Sequence, residues 1–231
     1  SNNFLQRIIN NENILGGEII LFEQFNKSLN KEYKGISCYS EMMSDNYHNT
    51  FQPEWFAFFL EYKFEKFLEL NPSFKDICNY QSNKSKGGID LDLNFHNEYF
   101  GDLKAHSNDS NALLGNDKGN VERALDIYGK LWYIVYNHNT IKDSSCNYEV
   151  TLFWNTNKPT KKERDLYSYK EKMKNSIILT DFMILEINNY NKKHLSNFNQ
   201  GINSNKKPRE LKIKIDKRMI NNFLIHSSKI L

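Results

Sequence analysis

Two runs in this chain carry closely spaced side chains that could do chemistry. They are Ile89-Asp90-Leu91-Asp92-Leu93-Asn94-Phe95 and, a turn later, Tyr99-Phe100-Gly101-Asp102-Leu103-Lys104-Ala105-His106. Both alternate apolar and polar residues with period two, the pattern of strands with one buried face. Ile89, Leu91, Leu93 and Phe95 are expected on one face, with Asp90, Asp92 and Asn94 on the other. A hairpin through His96-Asn97-Glu98 would pair Phe95 with Tyr99 and Leu93 with Gly101. Continued outward, it would set Asp92 opposite Asp102 and Asp90 opposite Lys104. Several acids and a lysine on one patch repel or neutralise one another unless a divalent cation joins them. The patch therefore points to metal-dependent hydrolysis.

A second set of acids lies upstream. Pro53 to Leu70 reads as a helix, with the proline in its first turn and Asn71-Pro72 as its stop. At about 100° per residue, Glu54, Glu61, Glu65 and Glu69 form one stripe on it, and aromatic side chains fill most of the remaining circumference. So aromatic a helix must be largely buried, which leaves its acids in need of water, cations or partners.

The acid before Asp102-Leu103-Lys104, in a strand–turn–strand setting, resembles the motif of the PD-(D/E)xK nuclease superfamily, and within it the type II restriction endonucleases. The resemblance covers about a quarter of the chain. The proline that names the motif is absent, and Ile89 precedes Asp90. The family implies a restriction-endonuclease-like α/β fold, a mixed central sheet flanked by helices. It also implies Mg²⁺ held by Asp90 and Asp102, with Asp92 as the rival to Asp90. Lys104 would act beside the attacking water. The superfamily often places a metal-binding glutamate on the preceding helix; Glu61 is the choice there, with Glu65 as alternative. The expected activity is site-specific cleavage of double-stranded DNA by a homodimer, since two identical sites suit two antiparallel strands. Another nuclease on the same core (repair, resolvase or toxin) and a non-catalytic DNA-binding domain are the rival readings.

The remaining elements must position these groups. From Phe4 to Leu29 one or two helices are expected, broken near Gly16-Gly17, and Asn30 to Gln52 reads as loop with some extended structure. Asp117 to Tyr128 reads as a helix capped by Asn116 or Asp117. Leu131 to Tyr136 and Tyr148 to Trp154 read as strands, Thr160 to Asn175 as a charged helix, and Ile177 to Ile187 as a core strand. A polar, basic loop from Asn188 to Arg209 leads to a strand at Leu211 to Ile215 and a terminal helix. Within the basic stretch, Lys206, Lys207 and Arg209 are candidate phosphate contacts, and His106 is another because it shares the acidic strand face.

Length and composition set the frame. The 231 residues suit one nuclease domain, and a net charge of +3 permits nucleic-acid binding without demanding it. Three scattered cysteines without metal spacing fit reduced thiols and a cytoplasmic setting. The most apolar run, Trp55 to Leu70, is short and charged, so no membrane span is expected. With neither a Gly-rich phosphate loop nor a Gly-x-Ser-x-Gly elbow, no nucleotide cofactor and no serine hydrolase chemistry is expected.

Overall fold

The computed structural model describes residues 16–81, 89–96, 98–158, 170–202 and 206–231. Its helices are α1 (Gly16–Ser28), α2 (Gly35–Ser44), α3 (Trp55–Leu70), α4 (Lys118–Tyr128) and α5 (Glu149–Asn157). Its strands are β1 (Glu32–Lys34), β2 (Cys78–Tyr80), β3 (Leu93–Phe95), β4 (Tyr99–Ser107), β5 (Ala112–Asp117), β6 (Lys130–Lys142), β7 (Lys174–Asn188), β8 (Ser196–Phe198), β9 (Lys212–Asp216) and β10 (Leu224–Lys229). The main sheet has the order β1-β7-β6-β4-β3-β2, and β10 also pairs with β7. The sheet is mixed: β4 runs parallel to β6, and the other pairs are antiparallel. A second sheet of three strands has the order β5-β9-β8. The chain is thus an α/β protein with a mixed central sheet flanked by helices. No helix among the described residues is long and apolar enough to cross a membrane.

Alternation along β4, β6 and β7 divides the core between the two faces of the sheet. Leu103, Trp132, Ile134, Tyr136, Phe182 and Ile184 pack with α1 and α3 on one face. Phe100, Tyr133, Val135, Met183 and Leu185 pack with α4 and β9 on the other. The helix α3 supplies Trp55, Phe56, Phe59, Leu60, Phe64 and Phe67 to the first face. It stops at Asn71, whose side chain donates to the Phe67 carbonyl (2.9 Å) before Pro72 bars a further turn.

The hairpin register matches the expectation where strand exists: Leu93 pairs with Gly101, Asn94 with Phe100 and Phe95 with Tyr99. It does not continue outward. The chain bends at Asp92, whose carbonyl accepts from the Gln81 amide, and Ile89 and Leu91 pack into the second face while Leu93 and Phe95 pack into the first. The expected shared face for Ile89 to Phe95 is therefore corrected, and Asp90 has no ladder pairing with Lys104.

Three further expectations change. Tyr148 to Trp154 is not a strand but the start of α5, because Asp143, outside the segment, accepts from the Val150 and Thr151 amides and nucleates a helical turn. Part of the expected loop from Asn30 to Gln52 is α2, driven by burial of Cys38, Tyr39 and Met42 at helical spacing. The expected terminal helix is instead a 3₁₀ turn (Lys217–Asn222) followed by β10, which satisfies the outer edge of β7. The strands at 131–136, 177–187 and 211–215 appear as β6, β7 and β9, with slightly different ends. Of the helix expected over Thr160 to Asn175, residues 160–169 lie outside the described residues, as do residues 1–15 and the glycine pair Gly87-Gly88; its end is not α-helix but a 3₁₀ turn (Lys170–Lys172) and the start of β7.

Candidate functional site

The site forms where β3 leaves β4. Up to Gly101, β4 is paired on both sides, and past it the described ladder continues only with β6. The close approach of β3 at that point requires a glycine. A Cβ on residue 101 would lie 2.8 Å from the Phe95 ring and 2.9 Å from the Trp132 carbonyl. The next polar residues of β4, Asp102 and Lys104, follow directly after this point.

Lys104 donates to Asp102 Oδ2 at 2.6 Å, with side-chain exposures of 19% and 8%, so this is a mostly buried pair. Burial works against the lysine's charge. Asp102, the Tyr133 hydroxyl and Glu61 outweigh it and hold the Lys104 pKa above its ordinary value. Lys104 is thus a cation, and its ammonium also stands 5.3 Å from the centre of the Tyr133 ring.

Glu61 lies on α3, and the Tyr80 hydroxyl donates to its Oε2 (3.0 Å). Its pKa is pushed up to about 8, first by burial and then by the charges of Asp92 and Asp102; the Tyr80 bond and Lys104 pull the other way. Four expected groups, Glu61, Asp92, Asp102 and Lys104, therefore share one electrostatic site. The Asp90 side chain is exposed, and its backbone carbonyl accepts from the same Asn116 amide as Asp102 Oδ2. Glu65 stands apart: burial and Glu69 raise its pKa, not the acids of the hairpin. At the end of the stripe, Glu54 forms an ion pair with Lys174.

Of the DNA-facing candidates, Lys206, Lys207 and Arg209 are exposed, but His106 is not. His106 is buried (6% exposed), with its Nδ1 2.9 Å from Asn137 Oδ1. The Asn137 amide in turn donates to Asp181 (2.7 Å), which assigns the proton of His106 to Nδ1. His106 belongs to a buried polar chain between strands, and the proposed phosphate contact is corrected to that structural place.

Sequence reasoning missed Tyr80, Tyr133 and Asn116. Asn116, considered only as a helix cap, lies on β5 and donates through Nδ2 to the Asp90 carbonyl (2.8 Å) and to Asp102 Oδ2 (3.1 Å). Its neighbours tie the basic segment to the site. Gln200 donates to Asp117 (3.1 Å), the Lys118 amide to the Leu211 carbonyl (2.7 Å), and the Gly119 amide to Glu210 (2.8 Å). No sequence motif signalled this link, because it runs through a strand whose partners lie about a hundred residues away.

Among the described residues, no three His, Cys, Asp or Glu side chains form a ready-made metal cage. Mg²⁺ rarely uses one; one or two carboxylates, with water and substrate phosphate, are its usual ligands. The donors fit such an ion. Among the described residues both bonds to Asp102 fall on Oδ2, and the charges of Asp92 and Asp102, which add to burial in raising Glu61, are what a cation would offset. Comparisons of the chain with family models, curated proteins and solved structures give no match.

Proposed function

We propose that this chain is a Mg²⁺-dependent endonuclease that hydrolyses phosphodiester bonds in double-stranded DNA, built on the restriction-endonuclease-like core that its motif resembles. The observation that carries the reading is the mostly buried Asp102–Lys104 pair on β4, together with Glu61 on α3, whose pKa feels the charges of Asp92, Asp102 and Lys104. In support, α3 with Glu61 precedes the β3–turn–β4 hairpin that carries Asp102 and Lys104, while Asp90 and Asp92 lie just ahead of β3.

Asp102 and Asp92 are the cation ligands in this reading, with Asp92 preferred to the exposed Asp90. A bound Mg²⁺ supplies polarisation of the scissile phosphate and a more acidic water. Lys104, held as a cation, cannot accept a proton from the attacking water and instead faces the charge that grows on the phosphate. Glu61, whose pKa of about 8 in the ion-free chain a nearby cation lowers, then orients the water or accepts its proton as a carboxylate. Lys206, Lys207 and Arg209 hold the DNA backbone, and two identical chains cut the two strands of a short palindrome.

The test is incubation of a mixture of unmodified plasmid and phage DNAs with the purified chain, with Mg²⁺ or with chelator. Discrete fragments that need Mg²⁺ are expected. A Mg²⁺-dependent smear would mark a nonspecific repair or toxin-type nuclease on the same site. Intact DNA despite a band shift would contradict catalysis and leave a DNA-binding domain.

A further inference from the structure

The side-chain amide of Asn116 cannot be turned around. Its Nδ2 lies between two groups that only accept, the Asp90 carbonyl (2.8 Å) and Asp102 Oδ2 (3.1 Å), so an oxygen in that place would face two oxygens. Oδ1 therefore points the other way, buried and without a hydrogen-bond partner. The residue is also anchored at its backbone, where its amide donates to the Tyr133 hydroxyl (3.0 Å). The preceding residue must be glycine for β5 to come this close. A Cβ on Gly115 would sit 2.4 Å from Ile213 Cγ1 and 2.6 Å from the Tyr133 hydroxyl. Backbone anchor, close strand approach and amide orientation together deliver one neutral donor to the carboxylate that Lys104 already holds.

We propose that Asn116 is a positioning residue of the cation site: with Lys104 it fixes Asp102 by Oδ2, so that Oδ1 is presented to a divalent ion. The inference rests on the nuclease reading and adds a residue to it that the motif does not contain. A neutral donor suits this task. It orients the carboxylate without adding a second positive charge that would repel the ion. Asn116 also belongs to the strand whose next residues grip the basic segment, so the ion site and the DNA-binding loop share one support.

Titration of the full chain with Mn²⁺ alone, without DNA, tests the assignment. Asn116→Ala is expected to weaken Mn²⁺ binding by about 10- to 100-fold, the usual cost of removing a group that orients a metal ligand. Asn116→Asp should weaken it as well, because its carboxylate would repel Asp102 and the Asp90 carbonyl. Asn175→Ala breaks a comparable amide–carboxylate bond (3.0 Å) at Asp143, far from the site. It should lower the melting temperature while Mn²⁺ affinity stays at the wild-type level. If Asn116→Ala does not fold, Tyr133→Phe removes the backbone anchor and should weaken binding in the same direction. Wild-type affinity in Asn116→Ala, or in Tyr133→Phe where that variant replaces it, overturns the inference alone. So does tighter binding in Asn116→Asp, which would make residue 116 a ligand. Absence of Mn²⁺ binding by the wild-type chain overturns the nuclease reading and this inference together.

Discussion

Two buried carboxylates in this molecule are treated in opposite ways. Asp143, fully buried, accepts four bonds from neutral donors: Val150 N (3.1 Å) and Asn175 Nδ2 (3.0 Å) on Oδ1, Thr151 N and Thr151 Oγ1 (both 2.7 Å) on Oδ2. Both oxygens are satisfied, and the group caps α5. Asp102, also buried, receives two bonds from the described residues, both on Oδ2 and one of them from a cation, and its charge and that of Asp92 act on Glu61. The first arrangement is complete as it stands. In the second, burial first and then the charges of Asp92 and Asp102 raise the pKa of Glu61, a combination that is common at functional sites. Burial alone does not separate structure from function, whereas the balance of donors, acceptors and charge does.

The largest effect should come from the unbalanced carboxylate. Asp102→Asn and Lys104→Ala are each expected to reduce DNA cleavage below detection while the protein still unfolds cooperatively on heating. Cleavage near the wild-type rate in either variant would place the chemistry elsewhere.

Asp143→Ala should reverse the pattern. Removing a carboxylate that satisfies buried donors is expected to destabilise the fold by about 2–4 kcal/mol in chemical denaturation. Cleavage per folded molecule should be retained. A variant of unchanged stability would show that the cap contributes little.

Glu61 sharpens the comparison through pH. Its pKa of about 8 lies above the ordinary carboxylate value, so in the ion-free chain it is largely protonated at neutral pH. The folded state then binds more protons than the unfolded chain between the ordinary value and about 8. Its contribution to stability therefore declines as pH rises through that window. Glu61→Gln should remove the decline, seen as a flatter plot of melting temperature against pH. In the wild type, Mn²⁺ affinity should rise as pH approaches and passes about 8, with proton release on binding. The same pH slope in Glu61→Gln would show that another group is responsible.

The smallest effect is expected from the basic segment. Neutralising Lys206, Lys207 and Arg209 together should weaken DNA binding in Ca²⁺. The magnitude of the log–log salt slope should fall by about 0.9 for each phosphate that these side chains no longer neutralise. Cleavage at saturating protein should largely survive. An unchanged slope would make these side chains ordinary solvated surface.

How much of this was legible in the sequence depended on the range of the forces involved. The hairpin register, α3 and the strands β6, β7 and β9 follow from local periodicity, which the structure keeps. Asp102, Lys104 and Glu61 came from spacing and resemblance, and the structure brings them together. The different placement of Asp90 and Asp92 was not legible, because it turns on a bend at Asp92, whose carbonyl accepts from the Gln81 amide just past β2. Asn116 was hidden for a similar reason, since β5 is a strand only through pairing with β9. Likewise α5 depends on Asp143 and β10 on the outer edge of β7, neither of which is encoded in the segment itself.

The most direct test of the central claim is the anomalous scattering of crystals of the wild-type chain soaked in Mn²⁺. The account expects an ion bound by Asp102 through Oδ1 and by Asp92, close to Glu61, with Asp90 outside the coordination sphere. An ion held by Asp90 instead of Asp92 would keep the reaction class and correct the ligand set. No ion at Asp102, with Mn²⁺ present at saturating concentration, would contradict the account.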